Sequence, residues 1–129
     1  MLTREEAKAV VDKVLNLAKA DAVEVNLTAS ERSGTRWANS TITTNLVQYD
    51  RNLTVTVRLG QKSGTASTRD WSDEGIKAMI AEALTAAEKA PESPNLPELL
   101  GSQLYLPVDG APAEMINLGP AERARMVKA

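Results

Sequence analysis

The chain has 129 residues, with 15 basic and 17 acidic side chains for a formal charge of −2, and 43% of its residues are hydrophobic. That composition predicts one soluble globular domain with an extension, large enough to bury a core without crosslinks. It contains no histidine and no cysteine, which excludes Ser-His-Asp and Cys-His catalysis, any His or Cys zinc site, and any disulfide.

The near-neutral charge gives no general attraction to nucleic acid, and four aromatic side chains (Trp37, Tyr49, Trp71, Tyr105) offer little stacking surface for bases. Direct nucleic-acid binding is therefore not expected. The N-terminus, Met1-Leu2-Thr3-Arg4-Glu5-Glu6, carries charges where a signal peptide has its apolar core. No apolar run approaches the roughly 20 residues of a membrane helix. The default expectation is a cytoplasmic protein without membrane association.

Thr3 and Glu6 have the spacing of a capping box. Ala7, Val10, Val11, Val14, Leu15 and Ala18 then follow the i, i+3, i+4 stripe of an amphipathic helix, predicting a helix over residues 4–19. After Asp21 the period falls to two: Val23, Val25, Leu27 and Ala29 alternate with Glu24, Asn26 and Thr28, as in a strand with one wet face. Glu31-Arg32-Ser33-Gly34 reads as a turn, and residues 35–47 as a second strand rich in Thr, Ile and Val. A second turn at Asp50-Arg51-Asn52 leads into a third strand. There Leu53, Val55, Val57 and Leu59 face one way and Thr54, Thr56 and Arg58 the other. Gly60-Gln61-Lys62-Ser63 reads as a tight hairpin before a fourth strand of small residues, Gly64 to Thr68. Ser72 is an N-cap candidate with Asp73 and Glu74 at the positive end of the helix dipole. Ile76, Met79, Ile80, Ala83, Leu84 and Ala87 predict a second helix ending near Ala90, before Pro91.

These elements predict a two-layer α+β domain in the order α-β-β-β-β-α, an antiparallel four-stranded sheet with two helices on one face. The domain is expected over residues 1–90. All six prolines lie from Pro91 onward, marking residues 91–129 as a proline-rich extension leading into a further domain. Gly119-Pro120 through Ala129 reads as a helix with proline in its first turn, cut short as in a piece of a longer chain.

Several groupings invite chemistry and yield to simpler readings. Gly60 to Gly64 lacks the eight-residue phosphate-loop pattern and lies between strands. Asp70, Asp73 and Glu74 match no calcium loop and suit a helix start. Asn26-Leu27-Thr28, Asn39-Ser40-Thr41 and Asn52-Leu53-Thr54 match the glycosylation acceptor pattern, but read as Thr-rich strand composition. Arg32, Arg36, Arg51 and Arg58 are offset by Glu24, Glu31 and Asp50, which makes a solvated face the reading. No catalytic, cofactor-binding or metal-ligating residue is predicted.

Four segments together resemble the N-terminal domain of the TldD/TldE (PmbA) family, once called modulators of DNA gyrase. They are Ala20-Asp21-Ala22-Val23-Glu24-Val25, Thr35 to Ile42, Asn52 to Ser67, and Trp71-Ser72 through Ala90. The resemblance implies a non-catalytic scaffold domain of a metallopeptidase that cleaves unfolded or small peptides and works as a homo- or heterodimer. In the family's active type, a later portion supplies a His-Glu-x-x-x-His zinc motif and a cysteine ligand. The inactive type lacks the motif and pairs with the active one. None of those residues exists in this chain, so zinc is expected only in a full-length active-type member. The rival expectation is a stand-alone binding or regulatory module, such as one acting on gyrase. With the C-terminal helix read as cut from its neighbours, residues 91–129 are expected to be either mobile or packed on another copy.

Overall fold

The computed structural model describes residues 2–108, 110 and 112–127. Its elements are α1 (Arg4–Leu17), β1 (Ala22–Ala38), β2 (Thr41–Leu59), β3 (Lys62–Thr68), α2 (Asp73–Lys89), α3 (Ala113–Ile116) and α4 (Pro120–Val127). The fold is α+β, with a three-stranded antiparallel sheet in the order β1-β2-β3.

Both long helices start where local chemistry directs them. The Thr3 hydroxyl accepts from the Glu6 amide at 3.2 Å and the Glu6 carboxylate accepts from the Thr3 amide at 2.8 Å, a complete capping box. The Ser72 hydroxyl accepts from the Gly75 amide at 3.1 Å and opens α2. At the other end of α2, Lys62 donates to the Glu88 carbonyl at 3.2 Å, a cation at the negative end of the helix.

The sheet has three strands where four were expected. β1 runs straight through Glu31-Arg32-Ser33-Gly34, and β2 runs through Asp50-Arg51-Asn52. The chain reverses instead at Asn39-Ser40, inside the segment expected to be the second strand. Both residues have positive φ, 51° and 58°. A two-residue turn with both φ positive matches the twist of its flanking strands, and asparagine tolerates that region better than most residues. Gly34 is accommodated within β1, in ordinary contact with Leu46 at 3.9 Å. The turn at Gly60-Gln61 falls where expected, with φ +59° at Gly60 and Leu59 paired with Lys62.

The chain forms two compact units: residues 1–30 with 50–99, and residues 31–49 with 100–129. The first holds the core. Val14 and Ala18 from the α1 end, Leu53, Val55 and Val57 of β2, Ala66 of β3, and Ile76, Met79, Ile80, Ala83 and Ala87 of α2 bury together. Val55 faces Ala66 and Val57 faces Gly64 across the β2–β3 ladder. Large residues on β2 thus stand beside small ones on β3, which brings α2 close to β3. After α2, the Ser93 amide donates to the Gln61 carbonyl at 2.8 Å and Arg58 donates to the Pro97 carbonyl. These two bonds tie the start of the proline-rich segment back to the β2–β3 hairpin.

The second unit comprises the distal halves of β1 and β2 together with the C-terminal residues, including α3 and α4. α4 begins at Pro120, as its sequence predicts, with the Gly119 amide held by the Glu122 carboxylate at 2.6 Å. α3, a single turn, has no counterpart in the sequence reading. The end of the expected C-terminal helix, Lys128 and Ala129, lies outside the described residues.

Candidate functional site

The alternation that buries Leu53, Val55 and Val57 turns Thr54, Thr56 and Arg58 to the other side of the sheet. An open depression of about 330 Å³ lies there, lined by Glu24 and Asn26 of β1 and Thr54 and Thr56 of β2. Asn52 donates to the Thr54 hydroxyl at 3.0 Å, and the Thr56 and Thr65 hydroxyls share a hydrogen bond at 2.9 Å. The lining therefore combines one carboxylate, one amide and a row of partly satisfied hydroxyls. Such a surface can hydrogen-bond a polar ligand or an extended chain. It pairs no nucleophile with a base, the arrangement that acyl transfer requires.

The acidic cluster is committed to structure. Asp70 accepts from the Ser72 amide at 3.0 Å, and Asp73 pairs with Lys13 of α1. Glu74 lies in the first turn of α2. A Cβ added at Gly75 would lie 2.5 Å from the Asp70 carbonyl oxygen, so Gly75 lets the loop fold against the helix start. The hydrogen bonds from Ser72 hold the Asp70 carboxyl below its ordinary range, with a smaller contribution from Arg51. The bond and charge of Lys13 do the same for Asp73, and hydrogen bonds at Thr3 for Glu6. Among the described residues, no group of three His, Cys, Asp or Glu side chains comes together to hold a metal ion.

A pH dependence follows with a definite sign. These carboxyls have folded values below their unfolded ones, so the stability they add is complete above the unfolded carboxylate range of roughly 4. It is lost as pH falls toward the folded values. Asp70→Asn is expected to lower the melting temperature at pH 7 and to flatten its decline between pH 5 and pH 3. Thermal melts across that range check this; parallel curves for the two proteins would contradict it.

The arginines are likewise occupied in part. Arg51 stacks over Trp71 at 5.0 Å from the ring centre, and Arg69 pairs with Asp50 at 3.5 Å. Arg32 and Arg36 lie in the distal half of β1. In the second unit, sequence reasoning missed one constellation altogether. Arg123 donates through Nε to the Thr35 hydroxyl at 3.1 Å, and through Nη1 to the Ser33 hydroxyl at 3.2 Å and the Leu118 carbonyl at 2.6 Å. Thr35 in turn donates to Asn45 Oδ1 at 2.7 Å. No motif encodes this, because its members are 88 and 90 residues apart.

Together these features define an α+β domain whose sheet is polar on its outer side at Glu24, Asn26, Thr54 and Thr56 and whose core is closed by an Ala-rich helix. The profile of PmbA/TldA metallopeptidase domain 1 matches residues 23–87, which span the sheet and nearly all of α2. The chain belongs to the PmbA/TldD family, as its first domain. The fold is shared with TldE from Thermococcus kodakarensis, at TM-score 0.72 and 13% identity over 89% of this chain and 26% of that one. It is shared with a candidate modulator of a DNA gyrase from Thermotoga maritima, at TM-score 0.72 and 21% identity over 95% and 28%. A candidate modulator of DNA gyrase from Bacteroides thetaiotaomicron gives TM-score 0.67 and 17% identity over 99% and 30%. This chain thus spans less than a third of each of these solved chains. No curated protein sequence matches it.

Proposed function

We propose that this chain is the non-catalytic first domain of a PmbA/TldD-type metallopeptidase that cleaves unfolded or small peptides, or of that enzyme's inactive partner subunit. The match of residues 23–87 to the family's first domain carries the reading. With neither histidine nor cysteine in its sequence, the chain supplies no imidazole or thiolate to a zinc ion, so the ligands belong to a later part of the parent. On this reading residues 1–90 form the scaffold domain and residues 91–129 pass into the next one. The parent works in the cytoplasm as a homo- or heterodimer. The domain's contribution is to help assemble the dimer and to bound the space in which a peptide is held. β1 lies at the edge of the sheet, with the polar depression beside it. An extended peptide could add to such an edge through main-chain hydrogen bonds.

Equilibrium dialysis against zinc and an assay on an unstructured fluorogenic peptide test the proposal. The 129-residue chain alone is expected to hold no stoichiometric zinc and to hydrolyse nothing. The parent protein carrying the zinc motif, alone or with its partner, is expected to cleave the peptide. One tightly held zinc per chain, or hydrolysis by the chain alone, would overturn the reading. Because two structural neighbours are named as candidate modulators of DNA gyrase, a supercoiling assay belongs in the same experiment. A change in gyrase activity at stoichiometric amounts of this chain would favour the stand-alone regulatory module instead.

A further inference from the structure

We propose that Arg123 is a polar latch that fastens α4 to the distal half of β1 and, through Thr35, couples it to β2, and that this latch opens locally while the core of the first unit stays closed. α4 has eight residues and none of them is buried. Its larger apolar residues Met126 and Val127 are 71% and 58% exposed, and among the described residues of the helix only Ala124 adds a half-buried apolar side chain. Isolated helices shorter than about 12 residues are marginal in water. The position of α4 therefore leans on hydrogen bonds, and Arg123 makes two of them to β1.

The bonds form an ordered relay. The guanidinium donates to the Thr35 hydroxyl, and that hydroxyl, with its own proton free to point elsewhere, donates to the Asn45 carbonyl oxygen. Thr35 lies on β1 and Asn45 on β2, so one side chain of α4 is coupled to both strands. The second branch, to Ser33 and the Leu118 carbonyl, fixes the guanidinium plane against β1 and against its own helix entry. A guanidinium suits this task because its donors are rigidly fanned. A contact made mainly of polar bonds, with no fully buried side chain on the helix, opens more readily than a packed core, and it opens locally. Opening frees the Ser33 hydroxyl and leaves the Thr35 hydroxyl with Asn45 as its remaining partner.

Amide hydrogen exchange on the whole chain reads the latch directly. In Arg123→Ala, exchange across 121–127 is expected to quicken about tenfold or more, while rates in β3 and α2 stay unchanged. The Ser33→Ala/Thr35→Val pair is expected to act the same way. Combining all three substitutions should add nothing further, since they break one coupled network. Unchanged exchange across 121–127 in Arg123→Ala would overturn the proposal, as would fully additive effects. If Arg123→Ala also loosens α2, Thr35→Val alone decides. Faster exchange confined to 121–127 upholds the latch, and unchanged exchange overturns it.

Discussion

Replacing Gly64 by alanine is expected to cost this protein about 3 kcal/mol or more, the upper end for forcing volume into a packed interior. A Cβ at this position would lie 2.2 Å from the Ala83 carbonyl oxygen, 2.3 Å from the Ala87 amide nitrogen and 2.9 Å from the Ala86 carbonyl carbon. All three atoms belong to the α2 backbone. No rotamer change can relieve the overlap, so β3 and α2 must move apart by about an ångström, which forfeits on the order of half the attraction of the neighbouring contacts. That movement opens the core around Val57, which pairs with Gly64 and is fully buried. Chemical denaturation of the two proteins measures the effect, and a fall in melting temperature on the order of 10 °C should accompany it. Gly101→Ala is the control, because nothing lies within 4 Å of its Cβ position. A Gly64→Ala protein as stable as the Gly101→Ala one would mean that α2 does not rest on β3 in this way.

The second large effect is expected at Leu53. This side chain is completely buried, at the point where β3 ends its pairing with β2 through Leu53 and Thr68. Leu53→Ala removes three carbon atoms from a core shared with α1 and α2, for which a cost of about 2–5 kcal/mol is typical. The value should fall in the upper half of that range, because both long helices pack into the same cluster and neither can collapse inward alone. Leu53→Met, which conserves volume, should cost less than about 1.5 kcal/mol. Equal losses for the two variants would point to backbone disruption of β2 rather than a cavity.

The sheet shows where local signals cease to decide. Glu31-Arg32-Ser33-Gly34 and Asp50-Arg51-Asn52 have turn composition, yet each continues a strand. Turn preference at a few residues amounts to about a kilocalorie per mole, and β-propensity is similarly weak and context-dependent. Pairing of β1 with β2 as neighbours in the sheet outweighs both signals. The usable clue was Asn39-Ser40, two residues tolerant of positive φ set between pairing segments. Competing turn signals on either side hid it. The polar depression was half legible. The alternation of residues 53–59 places Thr54 and Thr56 on the wet side, but only the pairing of strands brings Glu24 and Asn26 beside them.

The amino-acid sequence by itself determined α1 and α2, their caps at Thr3 and Ser72, the Gly60 turn, the alternation of β2 next to it and the absence of zinc ligands of the His or Cys type. Each of these depends on residues within about one or two helical turns of one another, or on composition alone. The tertiary structure alone decided the strand count, the closeness of β3 to α2 at Gly64, and the Arg123 network. Those features depend on which distant segments meet. Such meetings are set by the summed pairing and burial of whole elements, which no single short stretch of chain records.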